Sequence, residues 1–441
     1  MRTQTLLLMT VLLSVATACG GASRDRSWLE SATLASTQKR LGPRTPSDEK
    51  SLPPHCVIDD GIDPDEAVAI ALWRSPTLHA ELVRLDVALA DFEEARRLPN
   101  PRVSALAPID PRQLALILSW PIEAIWQVPL RTEAARLELE RVAEALVQIV
   151  LDAERNVRVV HANARLARAR IATLEQIASS WRESSELAKS RVSSGEIAPV
   201  EASGVEAEAV LANDLVQRGR REIEIADARL LAVLNLPVAK LPQLTTMATE
   251  PRELPSEEAL RARAYRARPD LRAAELAIHA AAARRRWERS RVISMVATLD
   301  GQAARGELNP NFSVGAQIEV PIFYQNQGGI GRADAAILQA GHLYAALRLT
   351  IAAEVAISRA ATERARTSLS AYVSVLDSLA EASRGARRAF ENGSDSYLVV
   401  VDAVRREGEA RLRALELEAE LASAEADLAR ALGGAASPEE S

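Results

Sequence analysis

Aromatic residues and cysteines are scarce in this chain of 441 residues. Phe, Trp and Tyr together make up 3% of the sequence, and there are two cysteines. So few rings cannot fill a large β-sandwich or an aromatic-rich enzyme core, and two cysteines cannot frame a disulfide scaffold. Acidic and basic residues number 60 and 54, which gives a net charge of -6. A nucleic-acid partner is therefore not expected, because its binding requires a basic face.

Sequence motifs that carry enzymatic chemistry are also missing. The chain has no phosphate-binding loop, no His-Glu-x-x-His and no dinucleotide fingerprint, and its five histidines are scattered. We predict that the protein is not an enzyme and has no metal site and no cofactor. Abundant Ala, Leu, Glu and Arg are instead typical of long helices.

The first 18 residues predict an export signal. An apolar run at 6–15 has the length of a signal-peptide core and is too short to cross a bilayer. Small residues then precede Cys19, which resembles a bacterial lipoprotein signal in which that cysteine becomes the lipidated first residue. Ordinary cleavage near Ala18 is the alternative and would leave Cys19 as a plain thiol. Residues 19–62 are rich in Ser, Pro and charge and predict an extended, lipid-anchored tether.

After the tether, the sequence contains an internal duplication of two similar repeats. Trp120-Pro121-Ile122 recurs as Val320-Pro321-Ile322, and the helix break at Ser194-Gly195 recurs at Asn392-Gly393. The copies lie about 200 residues apart, whereas solenoid repeats recur every 20 to 50 residues. The boundaries that we predict are 63–240 for the first repeat, 241–255 for a linker, 256–434 for the second repeat and 435–441 for a tail.

Long heptad patterns occupy much of both repeats. Apolar or small residues recur at alternating steps of four and three from Leu146 to Val192, from Val205 to Val233 and from Ile351 to Phe390. A 3.5-residue period sustained over such lengths predicts coiled-coil packing of long helices. Beyond the signal we find no apolar stretch of 18 residues, so we expect no transmembrane helix.

Two strand pairs interrupt the helices. The first pair, 102–107 and 113–120, flanks a Pro-containing turn, and the second, 292–299 and 312–320, flanks a Gly- and Pro-rich loop. Apolar and polar residues alternate along the last strand, as in a membrane β-barrel, although a soluble sheet edge alternates too. Four strands cannot close a barrel, and open edges in lipid leave backbone groups unpaired. If these strands lie in a membrane, several chains must share one barrel.

These features together resemble the TolC family of outer-membrane efflux proteins over residues 62–434. The resemblance implies a mainly α fold with a small β part, in which long coiled-coil helices form a periplasmic α-barrel. Four strands per chain would join a trimeric transmembrane β-barrel. The segment Pro321–Ile330 is similar to the heavy-metal-efflux branch of the family.

The same resemblance implies a function and partners. The chain would be a homotrimeric channel in outer-membrane lipid, extending into the periplasm. It would passively conduct heavy-metal cations or drugs from a periplasmic adaptor and a proton-driven inner-membrane pump of the resistance-nodulation-division type. The alternative from another class is a lipid-anchored structural coiled coil of the cell envelope without channel activity.

Candidate site residues follow from the helix breaks, which in the family are periplasmic tips that dock the adaptor. Gly195 and Glu201 match a glycine followed six residues later by an acid. In the second repeat Gly393 matches, but the sixth position is Val399; Asp402 matches a second acidic position. Plain helical-hairpin tips would need the same glycines, because glycine permits a positive φ.

Near the second break the family has an acidic gating ring. The corresponding stretch here is mixed or basic, so a constriction would be mixed or basic as well. Solvated helix charges are the simpler interpretation of most of these residues. The pore-constriction candidates are Arg384, Arg387, Arg388, Glu391 and Asp395.

Overall fold

The computed structural model describes residues 24–42, 52–54, 56, 61–106, 113–236, 241–245, 253–304, 311–392 and 394–434. Long helices and one small antiparallel sheet make up this part of the chain. The helices are α1 (Arg26–Thr37), α2 (Pro64–Arg74), α3 (Pro76–Arg96), α4 (Ala124–Ser193), α5 (Pro199–Leu234), α6 (Glu257–Ala267), α7 (Pro269–Ser290), α8 (Gln327–Glu391) and α9 (Tyr397–Ala431). The strands are β1 (Arg102–Leu106), β2 (Gln113–Pro121), β3 (Ser294–Ala304) and β4 (Asn311–Glu319).

The chain divides into two compact units. One, the sheet unit, comprises the described parts of 1–29, 83–144 and 272–342. The other, the helical unit, comprises the described parts of 30–82, 145–271 and 343–441. Both repeats therefore contribute to both units.

Equivalent helices of the two repeats begin in the same way. Asp63 caps α2 with a full capping box, in which its side chain accepts from the Glu66 N–H and Glu66 accepts from the Asp63 N–H. Ser256 caps α6 by accepting from the Ala259 N–H. A proline then opens the next helix of each repeat, α3 and α7. Because proline lacks an N–H and fixes φ, it suits a first helical position and stops the preceding helix.

The predicted heptad positions form the seams of the helical unit. Within α4, Leu146, Val150, Leu174 and Trp181 are buried at intervals of the pattern. Leu174, Ala178 and Trp181 pack with Ala212 and Val216 of α5 in one hydrophobic cluster. A second cluster joins α6 with Ile351 and Val355 of α8 and with the end of α9. The prediction of coiled-coil packing is confirmed in these helices.

The sheet joins the two repeats. Its strand order is β1-β2-β3-β4, and every neighbouring pair is antiparallel. The central pairing is between repeats, with Leu118 of β2 opposite Leu299 of β3. The third strand runs to Ala304, beyond the predicted end at residue 299, because its extension pairs with Gln113 through Ile117 of β2. Both hairpins were predicted, and their union in one sheet agrees with the four strands per chain that the resemblance implies; the register between the hairpins was not predicted.

Two segments differ from the sequence-based expectations. The predicted extended tether contains the helix α1, in which Leu29 and Thr33 are buried. The apolar residues of α1 are too few to show a helical period in the sequence, so formation of this helix depends on its tertiary packing. In addition, α8 contains an 18-residue window of mean hydropathy 1.2, of which 11% is buried, so this helix satisfies the length and composition criteria for crossing a membrane.

A buried histidine binds one of two short non-helical segments that pair with each other in the helical unit. Ile62 and Leu244 form a parallel bridge, and Nε2 of His161 lies 2.9 Å from the Ile62 carbonyl oxygen, which accepts its proton. Burial lowers the pKa of His161, and the charge of Arg165 lowers it further. The hydrogen bond to the Ile62 carbonyl and the charge of Asp63 raise the pKa by less, so the net shift is downward. His161 is 2% exposed, so its neutral form belongs to the folded state.

Acidification is expected to weaken the fold through this group. Unfolded histidine takes up a proton near pH 6.5, whereas folded His161 resists protonation, so stability falls as pH drops from 7 through that range by at most about 1.4 kcal/mol per pH unit. The substitution His161→Gln retains a donor to Ile62 but does not titrate. Thermal unfolding at pH 7 and pH 5.5 should show a smaller shift for this variant than for wild type. Exposed His342→Gln serves as the control and should leave the shift unchanged.

Candidate functional site

The four-stranded sheet has two chemically different faces. Directly paired residues share a face, and Val103, Leu118, Leu299 and Val314 form one continuous row across all four strands. The complete face bears no charge. Its members with described side chains are Val103, Ala105, Leu116, Leu118, Trp120, Met295, Ala297, Leu299, Phe312, Val314, Ala316 and Ile318, and Gly301 lies between Leu116 and Phe312 on the same face.

The opposite face is mainly polar. One row contains Arg102, Ser119 and Thr298, and the next contains Ser104, Asp300 and Ser313. Gln317 and Glu319 extend this face along β4. The alternation predicted for β4 therefore extends across much of the sheet, although Leu106, Ala115, Ile117 and Val296 are apolar residues on the polar face.

No described part of the chain covers the apolar face. Among strand residues whose side chains are described, none is buried. Val314 is 85% exposed, Phe312 and Val103 are each 70% exposed, and Leu116 is 47% exposed. A soluble sheet would cover such a face with a helix or a second sheet. An uncovered apolar patch of this extent marks a surface that contacts lipid or another protein.

The sheet also has two open edges. The outer strands β1 and β4 each pair on one side only, so one row of backbone donors and acceptors on each strand lacks a sheet partner. In an apolar environment such groups must be paired. The edges can be satisfied in lipid only by further strands.

The first helix break, between α4 and α5, has the geometry that the glycine predicts. Gly195 has a φ of +75°, and its N–H donates to the Val192 carbonyl, while the Glu196 N–H donates to the Arg191 carbonyl at 2.9 Å. These two bonds are those of a Schellman motif, which satisfies the last carbonyls of a helix. Glu201 lies in the first turn of α5, where a negative charge favours the helix dipole, and it is exposed.

The second break repeats this geometry as far as it is described. Gly393 lies outside the described residues. The Ser394 N–H donates to the Ala389 carbonyl at 2.9 Å, the same five-residue step as at the first break. Asp395 is exposed. Asp402, in contrast, forms ion pairs with Arg405 and Arg406 of its own helix at 2.9 and 2.8 Å.

The remaining constriction candidates separate into two groups. Arg384 and Arg388 are exposed, and neither has an ion pair among the described residues. Arg387 instead joins α8 to α4: its guanidinium donates to Ser180 Oγ at 3.0 Å and lies 3.7 Å from a Glu183 carboxylate oxygen. The side chain of Glu391 lies outside the described residues.

Two further contacts between helices were not predicted from the sequence. The guanidinium of Arg191 lies 4.0 Å from the ring centroid of buried Phe390, which joins the ends of α4 and α8 by a cation–π contact. Arg411 of α9 donates to Gln176 of α4 at 3.0 Å. The heptad pattern marked Phe390 as a seam residue, but no sequence signal paired it with Arg191.

Other predicted site features are not represented in the described residues. Cys19, the proposed lipidation site, lies outside them. Within the part of the chain that is described, no three His, Cys, Asp or Glu side chains are grouped so that they could hold a metal ion.

The fold and these sites define a class of protein. Long heptad helices with a break at Gly195 and a small sheet with one bare apolar face match the fold that the resemblance to outer-membrane efflux proteins predicts. The comparisons agree with that class. Residues 260–434 match the family described as outer membrane efflux protein, which confirms the predicted resemblance for most of the second repeat.

Solved structures share this fold. A membrane protein from Pseudomonas aeruginosa is 21% identical, over 84% of this chain and 93% of its own, with a TM-score of 0.72. CusC is 20% identical, over 90% of this chain and 98% of its own, with a TM-score of 0.71. The CmeC outer membrane channel of Campylobacter jejuni is 14% identical, over 88% of this chain and 91% of its own, with a TM-score of 0.72. A search of the curated proteins finds no match.

Proposed function

We propose that this chain is the subunit of a trimeric outer-membrane efflux channel that passively conducts solutes to the exterior. The observation that supports it most is the uncovered apolar face that crosses all four strands. Lipid accounts for such a face, and the polar face would then line an aqueous bore. Three copies would give a closed barrel of 12 strands and leave no edge open.

The helices support the same assembly. In the helical unit α5 packs on α4, and α8 packs on α9, while α8 keeps large apolar side chains exposed, including Leu349 at 75% and Ile357 at 69%. A neighbouring copy would cover these side chains and extend the layer of antiparallel helices. The apolar window of α8 then has a use other than crossing the membrane.

The remaining features of the proposal follow from the family resemblance. The breaks would dock a periplasmic adaptor through Gly195, Glu201, Gly393 and Asp402. Val200 and Leu398, each 76% exposed beside the breaks, offer apolar contacts for it. Cys19 would anchor each chain by lipid, and a proton-driven inner-membrane pump would supply heavy-metal cations or drugs.

Gating would occur by separation of the helix ends at the breaks. Arg387 with Ser180 and Arg191 with Phe390 hold α8 against α4 there. Because the Arg387 pair is partly exposed, we assign it about 1 kcal/mol, or about fivefold in the ratio of open to closed states.

A planar-bilayer recording tests both the channel and this gate. Purified wild type should give discrete conductance steps, and Arg387→Ala should raise the open probability about fivefold. Arg384→Ala is the matched control, since Arg384 lies one turn away without a described partner. Protein that inserts but never conducts would favour the structural coiled coil instead. Equal gating in both variants would remove Arg387 from the gate.

A further inference from the structure

A groove runs along one side of α9 in the helical unit. Its floor is a single face of that helix, from Arg413 to Asp427, and its walls belong to α4 and α8. With a rise of about 1.5 Å per residue, this stretch of α9 is about 21 Å long. The groove has a volume of about 500 Å³, which lies in the range of small-molecule sites. The proposed channel assigns it no role.

Small side chains keep the groove open. Ala361 and Ala365 line the wall formed by α8, and Ala419 and Ala424 line the floor beside Leu417. Leu417 is 2% exposed and Ala424 is 7% exposed, so packing against the neighbouring helices closes the floor from below. The floor therefore offers an apolar surface for a ligand to rest on.

The carboxylates that line the groove already have partners. Arg413 lies 3.1 Å from an oxygen of Glu416 and 2.8 Å from an oxygen of Glu420. Asp427 forms an ion pair with Arg155 of α4. A metal ion would require carboxylates that are free to bind it, and the described residues contain no group of three that could do so. A cation is therefore not the ligand that these side chains favour.

The charge left over in the lining is a cation, Arg364 of α8. Its side chain is exposed and forms no ion pair with the described residues. Asn163 on the α4 wall and Ser368 on the α8 wall likewise form no side-chain hydrogen bond within the described part of the chain. A guanidinium offers several N–H donors in a fixed geometry that suits carboxylate and phosphate groups. Donors on both walls above an apolar floor fit a molecule with an anionic group and an apolar body.

The size of the groove excludes a helix of a partner protein as its occupant. A helix about 10 Å wide and about 21 Å long occupies roughly 1,600 Å³, about three times the volume of the groove. Such a helix would remain largely outside and leave the floor around Leu417 uncovered. A small molecule can reach the floor and the donors of both walls together.

We propose that this groove binds a small organic anion. Its carboxylate, sulfonate or phosphate group lies on Arg364, its apolar body lies on the floor around Leu417, and Asn163 and Ser368 donate to its polar atoms from opposite walls. The inference goes beyond the proposed channel and does not depend on it, because the whole site lies within the helical unit of one chain.

Protection of a cysteine on the groove wall tests the site. In the detergent-solubilised full chain, Ala361→Cys places a thiol on the α8 wall, and its reaction with a maleimide is followed by peptide mass, which separates it from the native cysteines. Naphthalene sulfonate should slow this reaction about fivefold once its concentration is about four times the dissociation constant. Naphthylmethylammonium, the same ring with a positive charge, should not slow it. Ala371→Cys, which is exposed on α8 but does not line the groove, is the control and should react at one rate with or without either compound.

Three results of this experiment would overturn the proposal. Equal protection by both compounds would show only that an aromatic ring associates with the protein or its detergent. Protection by the ammonium compound alone would assign the groove to cations. Unchanged reaction of Ala361→Cys with the sulfonate present would mean that the groove does not bind this class of molecule.

The role of Arg364 is tested in the same cysteine background. Arg364→Gln removes a charge at an exposed position, so the fold should be retained, which far-ultraviolet circular dichroism checks. The dissociation constant of naphthalene sulfonate should rise about tenfold, because a charge-assisted hydrogen bond is lost. Arg384→Gln, at an exposed arginine of the same helix outside the groove, is the matched control and should leave it unchanged; equal effects of the two substitutions would overturn the role of Arg364. Planar-bilayer recording of the same proteins separates the two proposals, since conduction without protection refutes the groove alone and protection without conduction refutes the channel alone.

Discussion

Replacing Val314 by arginine is expected to prevent assembly of this protein in the outer membrane. Val314 is 85% exposed on the uncharged face of the sheet, opposite Leu299. An arginine on the lipid face of a barrel costs about 2–4 kcal/mol near the middle of the bilayer, and a trimer would bear this cost three times. The amount of trimer in the outer-membrane fraction, measured on native gels, should fall at least tenfold.

The neighbouring residue supplies the control. Ser313 lies on the polar face, opposite Asp300, so Ser313→Arg should insert normally and change only conductance or ion selectivity. In a soluble sheet of a coiled-coil stalk, both residues would face water and both arginines would be harmless. Equal insertion of the two variants would therefore contradict the lipid-facing assignment and, with it, the channel.

The sequence predicted the features that depend on local periodicity. Leu146, Val150 and Leu174 could be placed on a seam because helix geometry repeats every few residues. The alternation along β4 likewise followed from the two-residue period of a strand. Gly195 was expected at a break, because it is the residue that adopts a positive φ without strain.

Contacts between distant segments could not be predicted in this way. The pairing of Leu118 with Leu299 joins the two repeats, and no pattern within either hairpin specifies that register. Arg387 was grouped with Arg384 and Arg388 as a charge of one helix, yet only Arg387 is placed to reach Ser180 of α4. Sequence identifies which residues are charged but not which of them meets a partner from another helix.

Buried charge in the helical unit is the clearest instance of such a contact. Arg268 follows α6, and its side chain is 1% exposed. It donates to both carboxylate oxygens of Asp270, at 3.0 and 2.6 Å, and to Glu354 of α8. A carboxylate oxygen of Glu354 also lies 2.9 Å from the guanidinium of Arg430 in α9. One guanidinium thus helps to fix the ends of several helices.

Loss of this guanidinium is expected to destabilise the protein strongly. Arg268→Met leaves two carboxylates short of their partner, and breaking a buried ion pair in this way costs about 3–5 kcal/mol. Chemical denaturation of the detergent-solubilised protein should show that loss in the free energy of unfolding.

Arg261→Met is the control, because Arg261 only approaches Glu257 at 3.9 Å with its side chain 40% exposed, and it should cost less than about 1 kcal/mol. The triple variant Arg268→Met, Asp270→Leu, Glu354→Met should regain part of the stability, since apolar groups can replace buried ion pairs and Arg430 keeps its bond to Asp152 at 2.7 Å. A single variant as stable as wild type would mean that water satisfies Asp270 and Glu354 when Arg268 is absent, and would contradict the prediction.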